Sequence, residues 1–376
     1  MKKVVVIQRY IPQYRIRFFE LLKSSLANRN INLLVIYGQP GLKDELKKDA
    51  VDFAHGVYKR NMIISIGKYE IYWQPVLQLI KNADLVIVEQ ASKLLINYIL
   101  ILQNILKLRK VAFWGHGKNF QRESANLFGE LIKKILSGKV HWWFAYDTLS
   151  ARAVENLGFP KERITVVQNS IDIHPLIEAF NHLDPAIVEN VRQNLGIQGK
   201  HTGLYVGGMY TEKRLDFLLD ACQLIRQRVP DFEMIFIGSG LEVYKVQEAS
   251  RKCSWIHYVG PKFGIERVPY FALSQVFLMP GSVGLAILDC FAMEVPLITT
   301  RHINHGPEIE YLKNGVNGIM VDDSDDPEAY ASEVISVLID EQKRQSLVEG
   351  CRKSRINYSI EAMVDRFVNG IVKALE

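Results

Sequence analysis

Short apolar runs alternate along this chain with longer stretches in which apolar residues recur at helical spacing. Such alternation is typical of an α/β fold with parallel sheets. The strands predicted in the first half are Val4–Gln8, Ile31–Tyr37, Leu85–Glu89, Val111–Trp114, Trp143–Tyr146 and Ile164–Gln168. The helices predicted between them are Tyr14–Asn28, Lys93–Leu108 and Ser150–Leu157. The less regular region Phe53–Ile66 is expected to form an antiparallel excursion.

The same pattern restarts after a polar stretch. The strands predicted there are Gly203–Val206, Met234–Ile237, His257–Val259, Val276–Met279, Pro296–Thr299 and Ile319–Val321, and the helices are Leu215–Arg228, Leu285–Met293 and Pro307–Leu312. Two such series predict two Rossmann-like, doubly wound domains that face a cleft, with ligands beyond the carboxyl ends of the strands. The first domain is expected at 1–172, a linker at 173–200 and the second domain at 201–358. A final amphipathic helix is expected at 359–376, and the sequence leaves its packing open.

The composition is that of a soluble globular protein. Hydrophobic residues make up 48% of the 376 residues and charged residues 23%, which is enough apolar material for two cores. The apolar run after Met1 ends at Arg9 and is too short for an export signal, so we expect a cytoplasmic protein. The cysteines form no C-x-x-C pair and are expected to be reduced thiols.

Charge is distributed unevenly along the chain. The first 170 residues hold 26 Lys and Arg against 13 Asp and Glu, whereas the remainder holds 20 against 28. A basic half next to an acidic half indicates an anionic partner for the first domain, namely a membrane surface, a phosphorylated acceptor or a nucleic acid. No nucleic-acid-binding motif accompanies the charge, so we expect no nucleic acid as partner. A lysine-rich solvated surface is the alternative.

The segment 279–323 carries the most chemistry. A predicted strand ends at Met279, and a Pro-Gly-Ser-Val-Gly turn opens a helix near Gly284 or Leu285. The N–H groups and the dipole at a helix start suit a phosphate. Asp289 lies about one turn further on, where its carboxylate could accept hydrogen bonds from ribose hydroxyls or be a solvated helix position.

This segment resembles the signature of the family-four retaining glycosyltransferases, which share the two-domain GT-B fold. The residues that carry the resemblance are Gly281, Ser282, Val283, Gly284, Leu288, Asp289, Cys290, Phe291, Ala292, Pro296, Pro307, Glu308, Ile309, Asn317 and Gly318. The resemblance covers the second half well and the first half loosely. It implies that residues 281–285 and 289 bind a sugar-nucleotide donor.

A second match to the same family lies at 203–242. Lys213 falls on the lysine that holds the donor diphosphate in the family, and a compact ammonium suits that charge. Gly207 and Gly238 fit strand-to-loop turns beside the nucleotide. A solvated lysine in the first turn of a helix is the alternative for Lys213.

The match departs from the family pattern at the paired glutamates and at an arginine. Gly281 replaces the first glutamate of the E-x7-E pair, Asp289 shortens the second, and Gly208 replaces the arginine. The first glutamate normally touches the transferred sugar. Ser282, Glu308 or the N–H groups around 283–285 are expected to take over its role, or the protein is inactive.

In the first half, the strand that ends at Trp114 leads into His116, which is flanked by glycines. The resemblance implies that His116 acts near the sugar and the leaving phosphate, although a structural histidine is the alternative. Lys118 adds positive charge to the same loop. Arg9 and Arg15 follow the first strand and are expected to clamp an anionic acceptor or the donor diphosphate, or else to be a solvated basic surface.

These observations predict a glycosyltransferase that moves a sugar from a nucleoside diphosphate sugar to a hydroxyl acceptor, with His116 and Glu308 as catalytic residues. Retention is implied by the resemblance alone. We expect no cofactor and no metal, because no D-x-D metal motif lies where a single-domain transferase would place it. A non-catalytic sugar-nucleotide-binding protein and a GT-B-type sugar-nucleotide epimerase stay open as alternatives.

The apolar helix at Leu94–Leu108 suggests where the protein works. It is edged by Lys93, Lys107, Arg109 and Lys110, and a second basic and aromatic group follows at Lys133, Lys134, Lys139, Trp142 and Trp143. Such mixtures suit peripheral contact with an anionic leaflet. We therefore expect a lipid-linked acceptor at the inner face of the cell membrane, as in assembly of bacterial polysaccharides or glycolipids. A buried Rossmann helix and core tryptophans are the alternative.

Overall fold

A computed structural model describes residues 1–45, 49–66, 69–117, 138–302 and 304–376. The chain divides into two compact units. The first contains Met1–Asp172 together with Ile360–Glu376, and the second contains Ile173–Ser359. Each unit is an α/β structure built on parallel strands, as the alternating pattern predicts.

In the described part of the first unit, seven parallel strands form one sheet in the order β3-β2-β1-β6-β7-β8-β9. These strands are β1 (Lys2–Gln8), β2 (Ile31–Tyr37), β3 (Val57–Tyr58), β6 (Leu85–Glu89), β7 (Lys110–Gly115), β8 (Trp142–Ala145) and β9 (Ile164–Val166). The helices are α1 (Ile16–Ala27), α2 (Leu42–Glu45), α3 (Leu95–Ile105), α4 (Thr148–Asn156) and α13 (Ile360–Leu375). The central strands read as continuous apolar runs because both faces of a parallel sheet are covered.

The remaining two strands of this unit, β4 (Met62–Ile66) and β5 (Tyr69–Trp73), form an antiparallel pair. They pair Met62 with Trp73 and Ile64 with Ile71. An antiparallel excursion is therefore present: β4 lies within the 53–66 region that the sequence indicated, and β5 follows that region.

The final helix α13 completes the core of the first unit. Phe367 contacts Phe18 of α1, Trp114 of β7 and Phe144 of β8, with ring centroids 5.3, 5.0 and 4.3 Å apart. Lys110 donates hydrogen bonds to the carbonyl oxygens at the end of α13, where a cation complements the helix dipole. The apolar face of this amphipathic helix is thus buried on the first sheet, a placement that sequence alone did not give.

The second unit contains a six-stranded parallel sheet in the order β12-β11-β10-β13-β14-β15 among its described residues. Its strands are β10 (His201–Val206), β11 (Phe232–Ile237), β12 (Ile256–Gly260), β13 (Val276–Leu278), β14 (Leu297–Thr300) and β15 (Gly318–Val321). Its helices are α5 (His174–Asn181), α6 (Pro185–Leu195), α7 (Leu215–Arg228), α8 (Val243–Lys252), α9 (Val268–Leu273), α10 (Ala286–Ala292), α11 (Pro327–Ile339) and α12 (Glu341–Asn357).

The stretch 173–200, expected to be a linker, instead contributes α5 and α6 to the second unit. Helix α6 has local start and stop signals: Asp184 accepts a hydrogen bond from the Ala186 N–H at 2.8 Å, and Gly196 ends the helix with φ 69°. Both helices pack against α9. The prolines and glycines of this stretch mark helix ends rather than a linker.

Two further properties concern membrane-spanning helices and the cysteines. Among the helices of the described residues, none combines the length and hydropathy that a bilayer span requires. The four cysteines are free thiols, and Cys222, Cys290 and Cys351 are buried. Burial raises the pKa of these three thiols.

Candidate functional site

The strands β11, β10 and β13 are neighbours in the second sheet, and their carboxyl ends bring three loops together. Gly207 follows β10, Gly238 follows β11, and the loop 279–285 follows β13. The backbones of the first two loops are closely packed, since a Cβ at Gly238 would lie 1.9 Å from the Gly207 carbonyl oxygen. Gly238 also has φ 139°, a conformation that favours glycine.

Lys213 lies beside the third loop. It ends the short 3-10 helix Thr211–Lys213, and its Nζ donates a hydrogen bond to the Ser282 carbonyl oxygen. The Ser282 N–H in turn donates to the Glu212 carbonyl oxygen at 2.7 Å. Burial lowers the pKa of the Lys213 ammonium. The structure therefore brings Lys213 and the loop 281–285 together, although they are far apart in sequence.

His305 fixes the same loop from the other side. Its Nδ1 accepts a hydrogen bond from the Val283 N–H at 3.0 Å, and its Nε2 lies 2.7 Å from the Thr300 carbonyl oxygen. These two partners require a neutral ring that carries its proton on Nε2. Burial lowers the pKa of His305, which favours that neutral form. Sequence reasoning missed this residue, and its only signal was its place just before the Gly306-Pro307-Glu308 segment.

Glu308 lies near the loop as well. It is buried in the 3-10 helix Pro307–Tyr311, and the Gly306 N–H before it donates to the Val283 carbonyl oxygen at 2.7 Å. A Cβ at Gly306 would lie 2.9 Å from the Glu308 Oε2 atom and 2.9 Å from the Val283 carbonyl oxygen. The carboxylate is thus held close to the inner side of the loop.

Two of the three departures from the family pattern coincide with close contacts. A Cβ at Gly281 would lie 2.3 Å from the Glu212 carbonyl oxygen and 2.5 Å from the Lys213 carbonyl carbon, so this backbone leaves no room for a glutamate. A Cβ at Gly208 would lie 2.4 Å from the Tyr210 ring. The ring of Tyr210 therefore occupies the space into which an arginine at position 208 would have to extend.

The Asp289 carboxylate does not face solvent. It lies in α10, is 6% exposed, and accepts hydrogen bonds from two nitrogens of Arg267 at 2.5 and 3.3 Å. Burial raises the pKa of Asp289, and the charge of Arg267 opposes that rise. The expected ribose carboxylate is therefore half of an ion pair. Arg267, in the 3-10 helix Gly264–Arg267, was not anticipated from the sequence.

In the first unit, His116 follows strand β7 and lies against Tyr146, which follows β8. The two ring centroids are 4.3 Å apart. The His116 Nδ1 atom lies 3.4 Å from the Ser150 Oγ atom and 4.0 Å from the Asp147 Oδ2 atom. Burial, assisted by the charge of Arg15, lowers the pKa of His116 to about 4. His116 is therefore neutral at pH 7.

The structure does not leave Arg15 exposed as an anion clamp. Arg15 is buried, donates a 2.6 Å hydrogen bond to the Asn169 Oδ1 atom, and lies 4.8 Å from the Trp114 ring centroid and 5.1 Å from that of Tyr14. A guanidinium in such an aromatic environment is held by cation–π contacts. Its guanidinium also lies 5.8 Å from the ring centroid of Tyr146, the ring that contacts His116.

Arg9 is likewise engaged within the protein. Its Nε donates to Glu89 at 2.9 Å and its NH1 donates to Asp44 at 2.6 Å. Burial would lower the pKa of Arg9, but the two carboxylates outweigh burial and raise it. The expected acceptor clamp is therefore a compensated ion-pair cluster, because two nearby acids already neutralise the guanidinium.

The predicted residues thus form separate groups. Lys213, Gly207, Gly238, Glu308 and the loop 281–285 come together in the second unit, whereas His116, Arg9 and Arg15 lie in the first. Lys118, Lys133 and Lys134 lie outside the described residues. No group of three or more metal-ligating side chains occurs within the part of the chain that the structure describes.

Comparison with known proteins gives a family match and several curated relatives. Residues 200–340 match the family described as glycosyl transferases group 1. The chain is 29% identical over 237 residues to D-inositol 3-phosphate glycosyltransferase of Corynebacterium urealyticum, which covers 59% of this chain and 54% of that protein. It is 26% identical over 213 residues to spore coat protein SA of Bacillus subtilis, a match that covers 52% of this chain and 55% of that protein. The chain thus matches about half the length of these curated relatives.

The fold is shared over the entire chain with solved structures. The crystal structure of HepE from Anabaena in complex with UDP superposes with a TM-score of 0.72 at 16% identity, covering 99% of this chain and 100% of that one. At 16% identity the similarity shows a shared fold and nothing further. It agrees with the two-unit, Rossmann-like architecture described above.

Proposed function

Because this chain belongs to the family-four glycosyltransferases of GT-B fold, a family of sugar-transferring enzymes, we propose that it moves a glycosyl group from a nucleoside diphosphate sugar to a hydroxyl acceptor. The observation that carries the proposal is the contact of Lys213 with the loop 281–285 at the carboxyl ends of β10 and β13. Ligands of doubly wound sheets bind at this edge.

The chemistry proposed for Lys213 is stabilisation of the leaving group. When the bond between the anomeric carbon and the diphosphate breaks, negative charge grows on the phosphate oxygens. A partly buried ammonium interacts with that charge more strongly than an exposed one would, because less water screens it. In our proposal the diphosphate competes with the Ser282 carbonyl oxygen for the ammonium.

The remaining residues are proposed to hold the sugar and the acceptor. The N–H groups of residues 284 and 285 lie where α10 begins, and Glu308 lies beside the same loop. The neutral ring of His116 can accept a hydrogen bond from a sugar hydroxyl. We propose that the reaction retains the anomeric configuration, as the family resemblance implies. We also propose that it needs no divalent metal, since Lys213 supplies positive charge; unchanged activity in EDTA tests this.

A donor panel tests the proposal. We expect one member of a set of UDP-, GDP-, dTDP- and ADP-sugars to raise the melting temperature, because a ligand that binds the folded state stabilises it. UDP compounds are tried first, since HepE was crystallised with UDP. Lys213→Ala should weaken binding by about 1.5–3 kcal/mol, the value of a hydrogen bond to a charged group. Lys353→Ala, at an exposed lysine of α12, is the matched control.

The outcomes separate the alternatives. Failure of every donor to bind the wild-type protein contradicts the proposal. Conversion of the donor to an isomeric sugar nucleotide without acceptor identifies an epimerase. Donor binding with neither transfer nor hydrolysis identifies a non-catalytic binding protein, a reading that the absence of a glutamate at position 281 favours.

For the acceptor, we propose a lipid-linked hydroxyl compound at an anionic membrane, as in assembly of bacterial polysaccharides or glycolipids. The proposed place of action is the inner face of the cell membrane. The support is the excess of basic residues in the first 170, 26 against 13 acidic. Transfer to lipid extracts should exceed transfer to free sugars, and the reverse result contradicts a lipid-linked acceptor.

A further inference from the structure

Helix α3 exposes a stripe of large apolar side chains along one face. Its inward residues, such as Ile96 and Leu100, are buried against the first sheet. The outward residues at spacings of three and four are Leu95, Tyr98, Leu102 and Ile105, with exposed fractions of 38, 37, 56 and 51%. Such spacing keeps the four side chains on one side of the helix. The stripe extends over the length of α3, roughly 16 Å.

The stripe continues beyond the helix end. Leu106 and Leu108 follow α3 directly and are 58% and 71% exposed. We call the exposed side chains of Leu95, Tyr98, Leu102, Ile105, Leu106 and Leu108 the α3 surface. Single exposed apolar residues are ordinary on soluble proteins, but a contiguous group marks a contact site.

Basic residues flank the α3 surface in sequence. The sequence 90–111 holds Lys93, Lys107, Arg109 and Lys110 and contains no Asp or Glu. Lys139 lies at the same end, because the Asn104 side chain of α3 donates a 3.0 Å hydrogen bond to the Lys139 carbonyl oxygen. Lys93 lies at the opposite end, just before α3 begins, but its Nζ atom is 3.8 Å from the Asp44 Oδ2 atom and its charge is compensated there. Lys107 and Lys139 therefore supply the positive charge at the end of the stripe where α3 ends.

We propose that the α3 surface lies on an anionic lipid bilayer. The inference rests on the membrane location proposed above and names the surface that makes the contact. An apolar stripe with cations at one end is complementary to acyl chains beneath negative headgroups. The alternative occupant, an apolar patch on a protein, would not require cations at the end of the stripe.

Helix α3 begins at the sheet edge that carries His116. Asn97, in the first turn of α3, donates a 2.9 Å hydrogen bond to the Glu89 carbonyl oxygen at the carboxyl end of β6. Asn104, in the last turn, accepts a 3.0 Å hydrogen bond from the Val111 N–H, where β7 begins. The stripe therefore runs alongside the strands, from the edge that carries His116 to the opposite edge. Its first residue, Leu95, lies at the sheet edge that carries His116.

Vesicle co-sedimentation of the full chain tests the inference. The vesicles are phosphatidylcholine alone or phosphatidylcholine mixed with phosphatidylglycerol. We expect binding to the mixed vesicles only, with weaker binding as salt screens the charges. The double variant Leu102→Gln, Ile105→Gln should bind about tenfold more weakly, because two side chains no longer enter the apolar layer. Lys107→Gln with Lys139→Gln should reduce binding to the mixed vesicles as well.

The matched control is the double variant Ile339→Gln, Ile356→Gln, which removes two apolar side chains of the second unit that are 63% and 70% exposed. It should bind vesicles like the wild type. Melting temperatures and donor binding of all variants check that the fold and the donor site persist. If the wild type binds and the α3 variants bind equally well, the α3 surface is not the contact. If the wild type binds neither vesicle, the membrane location itself fails, while donor binding remains a separate test of sugar transfer.

Discussion

Arg267 and Asp289 form a two-point ion pair in the second unit, with nitrogen–oxygen distances of 2.5 and 3.3 Å. Asp289 stands where the family resemblance places a ribose-binding carboxylate, so a donor would meet a carboxylate that is already neutralised. Both side chains are largely buried, at 17% and 9% exposure. The pair therefore contributes to the fold as well as to any ligand contact.

Loss of one partner should destabilise the second unit. Arg267→Gln leaves a buried carboxylate without its cation, and breaking a buried pair in this way costs about 3–5 kcal/mol. Asp289→Asn leaves the Arg267 guanidinium without its anion and should cost less than Arg267→Gln, because Arg267 is more exposed to water than Asp289. Urea unfolding of both single variants and the double variant gives the coupling free energy. Additive effects of the two changes would show that the pair is not coupled.

Restoring the family glutamate at position 281 should fail. Gly281→Glu places a Cβ against the backbone of Glu212 and Lys213, so we expect a melting temperature at least several degrees below that of the wild type, equivalent to more than about 1 kcal/mol. Gly284→Ala is the matched control in the same loop, since a Cβ there meets nothing within 4 Å. A stable Gly281→Glu variant would contradict the close packing of these backbones.

His305 should position the loop 281–285 without touching the reacting atoms. His305→Ala leaves the Val283 N–H and the Thr300 carbonyl oxygen unpaired, a loss of about 1–3 kcal/mol. Donor affinity should fall with stability. His305→Gln retains a donor and an acceptor and should restore part of both. Equal donor affinity in the alanine variant would show that the loop does not need this residue.

His305 should also make the free energy of unfolding depend on pH. The lowered pKa of His305 means that the unfolded chain binds a proton near pH 6.5 while the folded chain does not. Stability should therefore fall as pH drops below about 6.5, and this fall should be smaller in His305→Ala. Lys213 and His302 also face the ring and disfavour its charged form. Urea unfolding at a series of pH values measures the difference between the two proteins.

His116 should titrate far below an ordinary histidine. Its pKa of about 4 predicts that transfer rates show no ionisation of His116 between pH 5 and 8. Nuclear magnetic resonance of the imidazole protons, assigned by comparison with His116→Gln, gives the midpoint directly. A midpoint near 6.5 would show that the ring is more hydrated than its burial against Tyr146 implies. It would then also be charged at acidic pH.

The sequence alone determined the elements that depend on local pattern. Ile31–Tyr37, Leu85–Glu89 and Leu215–Arg228 have the predicted bounds, because a continuous apolar run or a helical period is a property of neighbouring residues. The Pro-Gly-Ser-Val-Gly turn before a helix was also readable, since glycines and a following apolar period mark it. The α/β class and the family resemblance follow from these local signals.

Only the tertiary structure decided which residues share a site. Arg267 meets Asp289 and His305 meets Val283 across 22 residues in each case, and Lys213 meets Ser282 across 69. Each contact depends on which strands are neighbours in the sheet, and no local period encodes that order. The lack of space at Gly281 has the same origin. The exposure of the α3 stripe also depends on tertiary structure. The sequence pattern of an apolar helix is the same whether neighbouring elements cover its outer face or leave it exposed.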